Sequence, residues 1–255
     1  MLIAISPAKT LDYETVPVTR AYTKPAFLKQ SRLLINILRN YSALDLAELM
    51  KLSMKLSELN FDRYQAWKTP FTLKNAKQAV LAMKGDVYTG LDAESLSEEA
   101  FTFAQQHLRI LSGLHGLLRP LDLMQPYRLE MGTQLANEKG KDLYAFWGDS
   151  ITQAINKDLK AQGDDILINL ASNEYFKSIK SRLVEGRIIT PQFKEKKSGS
   201  YRMIGVFAKK ARGLMSRYII DNRLRDPQDI KGFNTDGYRF NKRLSKDDQW
   251  VFSRG

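Results

Sequence analysis

The sequence begins with MLIAISPAKT (residues 1–10), in which an unbroken apolar run stops at Ser6-Pro7. A short apolar run closed by a proline is typical of a buried strand, and we predict one at residues 2–5. Lys9 follows in the loop after this strand, where ligand-binding groups are often presented. The loop lacks the Gly-x-x-x-x-Gly-Lys-[Ser/Thr] spacing, so nucleoside triphosphate binding is not indicated.

The remaining pattern mixes helices and strands in no regular order. Amphipathic periodicity and capping residues predict helices at 25–40, 44–59 (as one or two), 98–111, 142–162 and 208–226. Branched apolar runs predict strands at 79–83, 166–170, 187–190 and 201–207, with a closing hairpin of 237–241 and 249–253. Because the regular alternation of a doubly wound sheet is missing and no hinge-like linker is found, we predict one α/β domain of mixed topology over residues 1–255.

The composition limits the classes of protein to which the chain can belong. Its 255 residues, 43% of them hydrophobic, suffice for a substantial core. No window approaches the roughly 18 apolar residues of a membrane span, and the first apolar run is too short for a signal peptide. The absence of cysteine excludes disulfides, thiolate catalysis and thiolate metal sites. We therefore expect a cytoplasmic protein without a membrane partner.

The positive charge is concentrated near the end of the sequence. The formal net charge is +12, and residues 187–255 hold 17 Lys and Arg against 7 Asp and Glu. Solubility does not require such a concentration, whereas a polyanion such as nucleic acid would be attracted by it. A basic tail that is merely soluble is the alternative. An acidic membrane surface is the weaker option, because we expect this part of the chain to lack an exposed apolar face.

The helix predicted at 208–226 carries much of this charge. At about 100° per residue, its apolar side chains fall in one arc of roughly 140°, which can pack on a core. The opposite arc holds the cations, namely Lys209, Lys210, Arg212, Arg217 and Arg223. A row of cations on a fixed helix can bind a polyanion, and it is equally what a solvated helix face looks like. Both interpretations stay open at this point.

The most distinctive segment is LRILSGLHGLLRPLDLMQPYRLEMG, residues 108–132. A predicted apolar helix leads into a turn with Gly113 and Gly116 and then to Arg119, which resembles a helix-hairpin-helix element. Such a turn exposes backbone N–H groups that hold a phosphate without reading bases. The glycines are spaced Gly-x-x-Gly rather than Gly-x-Gly, and Pro120 would interrupt a long second helix. A glycine C-cap that joins two core helices is the alternative.

Few side chains are available for metal or acid–base chemistry. The two histidines, His107 and His115, would lie about two helical turns or ~12 Å apart on a continuous helix, too far for one ion. Carboxylates could hold a hard cation, but each more often caps a helix or pairs with a cation; the candidates are Asp86, Glu130, Asp149 and Glu174. We predict neither a metal site nor a cofactor. Asp149 and Glu174 lie beside aromatic residues, which makes them candidate catalytic acids or bases in a cleft that stacks a base.

Several stretches, taken together and in this order, resemble the peroxide stress protein YaaA family. They are ISPAKTLDY (5–13), KGDVYTGL (84–91), LSGLHGLLRPLDLMQPYRLEMG (111–132), YAFWGD (144–149), INLASNEYF (168–176) and AKKARGLMSRYII (208–220). The resemblance covers essentially the whole sequence, which makes it far more specific than any single motif.

The resemblance implies a function and a set of site residues. The family is associated with the response to hydrogen peroxide, with lowering of unincorporated intracellular iron and with DNA binding. It implies a single α/β domain with a positively charged cleft and a helix-hairpin-helix element, here residues 112–116. The DNA-binding cations would be Lys9, Arg119, Arg128, Lys209, Lys210 and Arg212, to which the helix pattern adds Arg217. No catalytic residue is carried over from the family.

Three functions compete on these grounds. The first, which we expect, is binding of DNA with little sequence preference, protecting it or assisting its repair under peroxide stress, with no obligate protein partner. The second is an enzyme that acts on a nucleobase or a nucleic-acid end, with Glu174 or Asp149 as acid or base. The third, an iron-handling protein, is disfavoured because two histidines and no cysteine leave mainly hard oxygen ligands.

Overall fold

The strand at Leu2–Ile5 lies in the middle of the main sheet. The computed structural model describes residues 1–255. Its strands are β1 Leu2–Ile5, β2 Thr10–Leu11, β3 Lys77–Gln78, β4 Met83–Lys84, β5 Leu108–Ser112, β6 Gly116–Leu118, β7 Leu123–Met124, β8 Ile166–Leu170, β9 Arg187–Lys197, β10 Ser200–Arg202, β11 Arg239–Phe240 and β12 Gln249–Arg254. Its α-helices are α1 Leu28–Leu38, α2 Ala43–Met50, α3 Met54–Ala66, α4 Ala79–Ala82, α5 Asp86–Leu91, α6 Glu98–His107, α7 Leu143–Trp147, α8 Ser150–Gln162, α9 Asn173–Phe176 and α10 Gly205–Asp221.

Eight strands form one mixed sheet in the order β11-β12-β9-β8-β1-β5-β6, with β10 paired to β9. β1 runs parallel to β5 on one side and to β8 on the other, so Ile3 lies opposite both Leu108 and Ile168. All four β1 residues are fully buried, which explains a continuous apolar run where a half-exposed strand would alternate. The pairs β5–β6, β9–β10 and β11–β12 are antiparallel. The predicted α/β class with mixed topology is confirmed.

The connections create a crevice at the carboxyl ends of β1 and β8, in the middle of the sheet. After β1 the chain next enters the main sheet as β5, on one side of β1. After β8 it continues to β9, which lies on the other side. The segments that follow β1 and β8 therefore diverge beyond Ile5 and Leu170, the last residues of these strands. Ligands of open α/β sheets bind at such switch points. The loop that contains Lys9 begins here.

Several predicted elements are confirmed. The strands at 2–5 and 166–170 form, the strand predicted at 187–190 extends to Lys197, and β11 and β12 pair as the closing hairpin. The helices predicted at 25–40 and 208–226 correspond to α1 and α10, and the one predicted at 44–59 divides into α2 and α3. Ser97 caps α6, because its side chain accepts a hydrogen bond from the Ala100 N–H.

The helix-hairpin-helix prediction is wrong at residues 108–119. α6 ends at His107, and the segment continues as strands β5 and β6, which pair antiparallel around residues 113–115. Every residue from 108 to 118 is buried. An apolar run that is buried on both faces has the same pattern in a helix and in a strand, so periodicity alone does not separate the two.

The turn of this β-hairpin is embedded in the core. His115 is fully buried, and burial lowers its pKa to about 3, so the ring is neutral at pH 7. Gly113 closes on the backbone of Leu129, and Gly116, at φ +67°, closes on the ring of Trp147. Both glycines are buried, so the phosphate-binding role predicted for Gly113 and Gly116 is not available in this fold.

Three further boundaries differ from the predictions. The run at 79–83 forms the single turn α4 in place of a strand, and the Ala79 N–H donates to the carbonyl of Asp122. The helix predicted at 142–162 breaks into α7 and α8 at Gly148, which has φ +50°. The strand predicted at 201–207 ends with β10 at Arg202, because the chain turns into α10, which begins at Gly205. The runs at 79–83 and 201–207 are short and apolar enough to suit either a helix or a strand.

The apolar residues form one continuous core of 64 buried side chains. α10 contributes the apolar arc predicted from its periodicity, including Ala208, Ala211, Met215 and Ile219. This arc fixes the direction in which the cations of α10 point. None of the ten α-helices combines the length and the apolar character needed to cross a bilayer.

Helices α5 and α10 cross in direct backbone contact. A Cβ atom at Gly213 of α10 would lie 1.8 Å from the carbonyl oxygen of Val87, and one at Gly90 of α5 would lie 2.2 Å from that of Lys210. Only glycine, which has no Cβ, permits this approach at the two positions. The contact therefore sets the position of α10 against residues 86–91.

We predict that Gly213→Ala lowers the free energy of unfolding by about 1–3 kcal/mol, the range for overpacking a tight contact. The new Cβ would meet backbone atoms, which cannot rotate away. Gly205→Ala is the matched control on the same helix, because no atom lies within 4 Å of its Cβ position and alanine favours a helix. Urea unfolding compares the two variants; equal stabilities would show that the helices separate at no cost.

Candidate functional site

A cleft of about 420 Å³ opens at the carboxyl ends of β1 and β8. Its borders are the loop 6–10 after β1, residues 84–88 around the start of α5, residues 172–175 after β8, and one face of α10. The charged residues that line it are four cations and two carboxylates: Lys9, Lys84, Lys209 and Arg212, with Asp86 and Glu174. The fold thus brings together three of the predicted DNA-binding cations and one of the candidate acids.

Hydroxyl groups tie the floor of the cleft together. The Ser172 N–H donates to Ser6 Oγ at 2.8 Å, and the two serine hydroxyls lie 3.3 Å apart. The Tyr88 hydroxyl donates to the Ser6 carbonyl oxygen at 3.1 Å. Burial raises the pKa of Tyr88 well above its usual value, so this donor stays protonated. The two strand-end loops and α5 are therefore held at a fixed spacing.

Lys9 is neutralised at the margin of the cleft. Its Nζ lies 2.8 Å from Glu130 Oε2, while Arg128 Nη2 donates to Oε1 of the same carboxylate at 3.0 Å. The Lys9 side chain is exposed, whereas Arg128 is largely covered and its Nε is buried without a hydrogen-bond partner. Arg128 therefore supports Lys9 through Glu130 and does not itself line the cleft.

Lys84 is paired as well. Its Nζ lies 2.5 Å from Glu94 Oε1 and 3.6 Å from Asp12 Oδ2. The hydrogen bond to Glu94 raises the pKa of Lys84, and hydrogen bonds from Thr15 lower the pKa of Asp12. Lys84 and Asp12 are therefore charged at neutral pH. The antiparallel pair β2–β4 places Lys84 opposite Thr10, so the two walls of the cleft are joined here.

Lys209 and Arg212 are the cleft cations that have no partner in the protein. Neither side chain makes an ion pair or a hydrogen bond to another residue, although both line the cleft from one face of α10. The Arg212 guanidinium is partly buried, and this burial alone lowers its pKa. A cation that is partly desolvated and not compensated by a carboxylate is stabilised when an anion binds beside it.

Glu174 is a carboxylate held in place inside the same cleft. It lies in the first turn of α9, and the Gly132 N–H donates to its Oε1 at 3.0 Å. Its Oε2 makes no hydrogen bond to the protein. The adjacent Tyr175 is buried, which raises the pKa of its hydroxyl so that it stays protonated. A fixed carboxylate with one free oxygen can accept a proton from a bound ligand.

Like Arg128, three further predicted cations lie outside the cleft lining. Arg119 borders a separate cavity of about 600 Å³, and its Nη2 donates to Asp122 Oδ1 at 3.0 Å. Arg217 Nε donates to Asp221 Oδ2 at 2.7 Å. Lys210 is exposed on α10, but it does not line the cleft. Arg119 and Arg217 are therefore each compensated by a neighbouring carboxylate.

The other candidate acid and the two histidines also lie outside the cleft. Asp149 is exposed at the N-cap of α8, and its side chain makes no capping hydrogen bond. His107 stacks on Phe103 with the ring centroids 4.0 Å apart, and His115 belongs to the buried turn between β5 and β6. No three His, Asp or Glu side chains converge on a common point.

Three cleft residues are not among the predicted site residues, although each lies in a stretch that carries the family resemblance: Ser6, Lys84 and Ser172. Ser6 directly follows β1, and Ser172 lies two residues after β8, so their position at the ends of parallel strands is a second signal. Lys84 belongs to a two-residue strand that no periodicity reveals. Its place in the cleft depends on pairing with β2, which is a tertiary contact.

The fold and the cleft define an α/β protein whose candidate ligand site lies at the switch point of a mixed sheet. The chain matches the profile of the family described as "Peroxide stress protein YaaA" over residues 1–244 of 255, and it therefore belongs to that family. The match spans every residue that lines the cleft. Membership of this family supports a role in the response to oxidative stress.

We predict that Arg212→Met raises the free energy of unfolding by about 0.5–1 kcal/mol while it removes a binding cation. Methionine keeps an apolar stem in place of the arginine stem and has no charge to desolvate. Lys209→Met is the matched control, because that exposed ammonium is solvated and its loss should leave stability unchanged. Urea unfolding of both variants measures this, and a loss of stability in Arg212→Met would show that the guanidinium supports the fold.

Proposed function

We propose that the protein binds DNA through the phosphate backbone, with little sequence preference, in the cleft between β1, β8 and α10. Binding would protect DNA or assist its repair during the response to hydrogen peroxide. The observation that carries the proposal is the pair Lys209 and Arg212, which line the cleft without a protein partner. Phosphate oxygens supply the negative charge that this pair lacks.

The charge balance of the cleft supports an anionic ligand. Its lining holds four cations, of which Lys9 and Lys84 are paired with carboxylates beside the cleft, whereas Lys209 and Arg212 are not paired. Arg212 presents a planar fork of N–H donors that suits a phosphate, and Lys209 and Lys9 add point charges beside it. The hydrogen-bonded hydroxyls of Ser6 and Ser172 form a polar floor. Phosphate contacts carry no sequence information, which is why little sequence preference is proposed.

The wider charge distribution supports a long ligand in preference to a single phosphate. Residues 187–255 hold 17 Lys and Arg against 7 Asp and Glu, and this part of the chain includes α10. A positive field of this extent raises the rate at which a polyanion meets the protein. DNA provides a negative charge about every 1.7 Å along its axis, so it can engage the cleft and the surrounding cations together.

The lowering of free iron, which the family resemblance implies, would be an indirect effect of the stress response. The only two nitrogen ligands suited to iron are both buried, and each is engaged in the core. His107 Nδ1 lies 2.8 Å from the carbonyl oxygen of Met1, and His115 Nδ1 lies 3.0 Å from Ser31 Oγ. Tight, stoichiometric binding of Fe²⁺ by the purified protein would contradict this assignment.

A salt series on duplexes of unrelated sequence tests the DNA proposal. If the two unpaired cleft cations, Lys209 and Arg212, each displace one counterion, they contribute about −1.8 to the slope of log K against log[salt], at ~0.9 per phosphate contact. We predict that Lys209→Gln with Arg212→Gln reduces this slope by about 1.8 and weakens binding similarly for every sequence. Fluorescence anisotropy at four salt concentrations gives both quantities.

The matched control removes the same charge far from the cleft. Lys55 and Lys160 are exposed lysines on α3 and α8, so Lys55→Gln with Lys160→Gln should leave the slope unchanged. Thermal unfolding confirms that both double variants are folded. Equal effects of the two pairs would show that only net charge matters, and a wild-type protein with no salt dependence or a strong sequence preference would contradict phosphate binding.

A second candidate function is favoured by Glu174. Its Oε1 is fixed by the Gly132 N–H, and its Oε2 is free in the cleft that holds Lys209 and Arg212. A carboxylate beside a bound phosphate could act as the general acid or base of an enzyme that processes a nucleobase or a nucleic-acid end.

For this second function, we predict that any turnover of damaged or nicked duplexes is lost in Glu174→Gln while DNA affinity persists. The glutamine keeps an oxygen that can accept from Gly132 but cannot exchange a proton. Asp149→Asn is the matched control, because Asp149 lies outside the cleft. Gel electrophoresis of the reaction products measures the turnover. If the wild-type protein forms no product from any substrate, the enzymatic alternative is excluded.

A further inference from the structure

The β9–β10 hairpin and the residues that lead into α10 form a continuous exposed surface, residues 194–207, here called the hairpin–helix surface. The two strands pair from Glu195 with Arg202 to Lys197 with Ser200. Ser198 and Gly199, at the tip, have φ of 49° and 78°. Positive φ at both central residues of a two-residue loop is the turn that matches the twist of a β-ribbon. The ribbon therefore has a defined shape and is not a loose loop.

This surface carries almost only positive charge. Between residues 194 and 212 there are seven Lys and Arg and a single carboxylate, Glu195. That carboxylate is fully engaged, because its Oε2 accepts from Arg254 Nε at 2.6 Å and its Oε1 accepts from the Tyr238 hydroxyl. The cations at the tip, including Lys196, Lys197 and Arg202, have no ion-pair partner. The charge of this surface therefore favours an anionic partner.

The same surface exposes a group of large apolar side chains. Met203, Val206 and Phe207 are 49%, 53% and 42% exposed. This corrects the expectation that the basic end of the chain lacks an exposed apolar face. The three residues occupy five consecutive positions between the hairpin and the first turn of α10. Exposed apolar side chains that are grouped together and rimmed by polar residues mark interaction sites.

We infer that the hairpin–helix surface binds duplex DNA at an unstacked step, with Val206 and Phe207 inserted between base pairs and the hairpin cations on the flanking phosphates. Proteins that bend or open DNA combine these two features, an apolar wedge and basic side chains beside it. The inference rests on the proposed DNA binding and specifies the form of DNA recognised. A mismatched or nicked duplex is the favoured ligand, because its bases unstack at less cost.

The surface is continuous with the cleft along α10. Val206 precedes Lys209 and Lys210 by three and four residues, so these side chains are neighbours on the helix. Phe207 is held at the other side by Arg254, whose guanidinium lies 5.0 Å from its ring centroid. A strand of DNA in the cleft therefore leads directly to the wedge.

The two parts of the surface differ in their response to salt, which makes the inference testable. Phosphate contacts release counterions and depend on salt, whereas insertion of an apolar side chain does not. The experiment measures the affinity of the full chain for a 25-bp duplex, intact or with a central two-base mismatch, across a salt series. The wild-type protein should bind the mismatched duplex about tenfold more tightly, which corresponds to about 1.4 kcal/mol of avoided unstacking.

Two double variants separate the contribution of the apolar wedge from the contribution of the hairpin cations. Val206→Ser with Phe207→Ser should abolish the preference for the mismatch and keep the salt slope. Lys196→Gln with Lys197→Gln should keep the preference and reduce the slope by about 1.8. Val16→Ser with Val18→Ser is the control for loss of exposed apolar side chains, since these residues are 82% and 54% exposed elsewhere on the surface. Thermal unfolding shows that each variant is folded.

Each outcome decides the inference. Retention of the mismatch preference in the serine variant, or equal affinity of the wild-type protein for both duplexes, overturns the wedge and leaves DNA binding in the cleft intact. A wild-type protein that binds neither duplex overturns both proposals. Binding to phosphatidylserine vesicles that is lost in the serine variant, with unchanged DNA affinity, assigns the surface to membranes and also overturns the wedge.

Discussion

The site depends on the absence of two side-chain atoms, the Cβ atoms of Gly90 and Gly213. Their absence lets α5 and α10 approach until backbone meets backbone. α5 begins directly after Gly85, and its first residues border the cleft, while α10 carries Lys209 and Arg212 on the facing side. If the helices stood further apart, the two cations would lose their position over the ends of β1 and β8. The cleft is therefore a product of helix packing as much as of the sheet.

The cations of this protein differ chiefly in whether a carboxylate is paired with them, and less in their position in the sequence. Arg119, Arg128 and Arg217 each have a carboxylate within hydrogen-bond distance, so their charge is already compensated. Lys209 and Arg212 have none, and Arg212 is partly buried. A paired cation gains little when a phosphate arrives, because it must give up or share a partner. The unpaired cations are stabilised more by a bound phosphate, so the proposed binding depends chiefly on Lys209 and Arg212 of α10.

Strongly patterned elements could be predicted from the sequence, and tertiary arrangements could not. The apolar runs of β1 and β8 and the apolar arc of α10 follow from periodicity, because each is decided by burial of its own residues. The run at 108–118 could not be assigned, since burial on both faces removes the pattern that distinguishes strand from helix. Lys9 and Arg212 were both candidates, but their meeting in one cleft depends on sheet order and on the contact at Gly213. The pairing of Lys84 with β2 leaves no trace in the local sequence.

The floor of the cleft and the ribbon beside its wall differ in how readily they open locally, because they lie at different places in the sheet. Its floor stands on β1 and β8, which are hydrogen-bonded on both sides and whose amide protons should exchange with solvent only when the whole sheet opens. Its cationic wall continues into the β9–β10 ribbon, where β10 is bonded along one side only. Thermal fluctuation can therefore move the ribbon while α10 and the floor keep their geometry. A ligand as thick as a duplex could be admitted by such a movement without any loss of the framework that holds the serine hydroxyls in place.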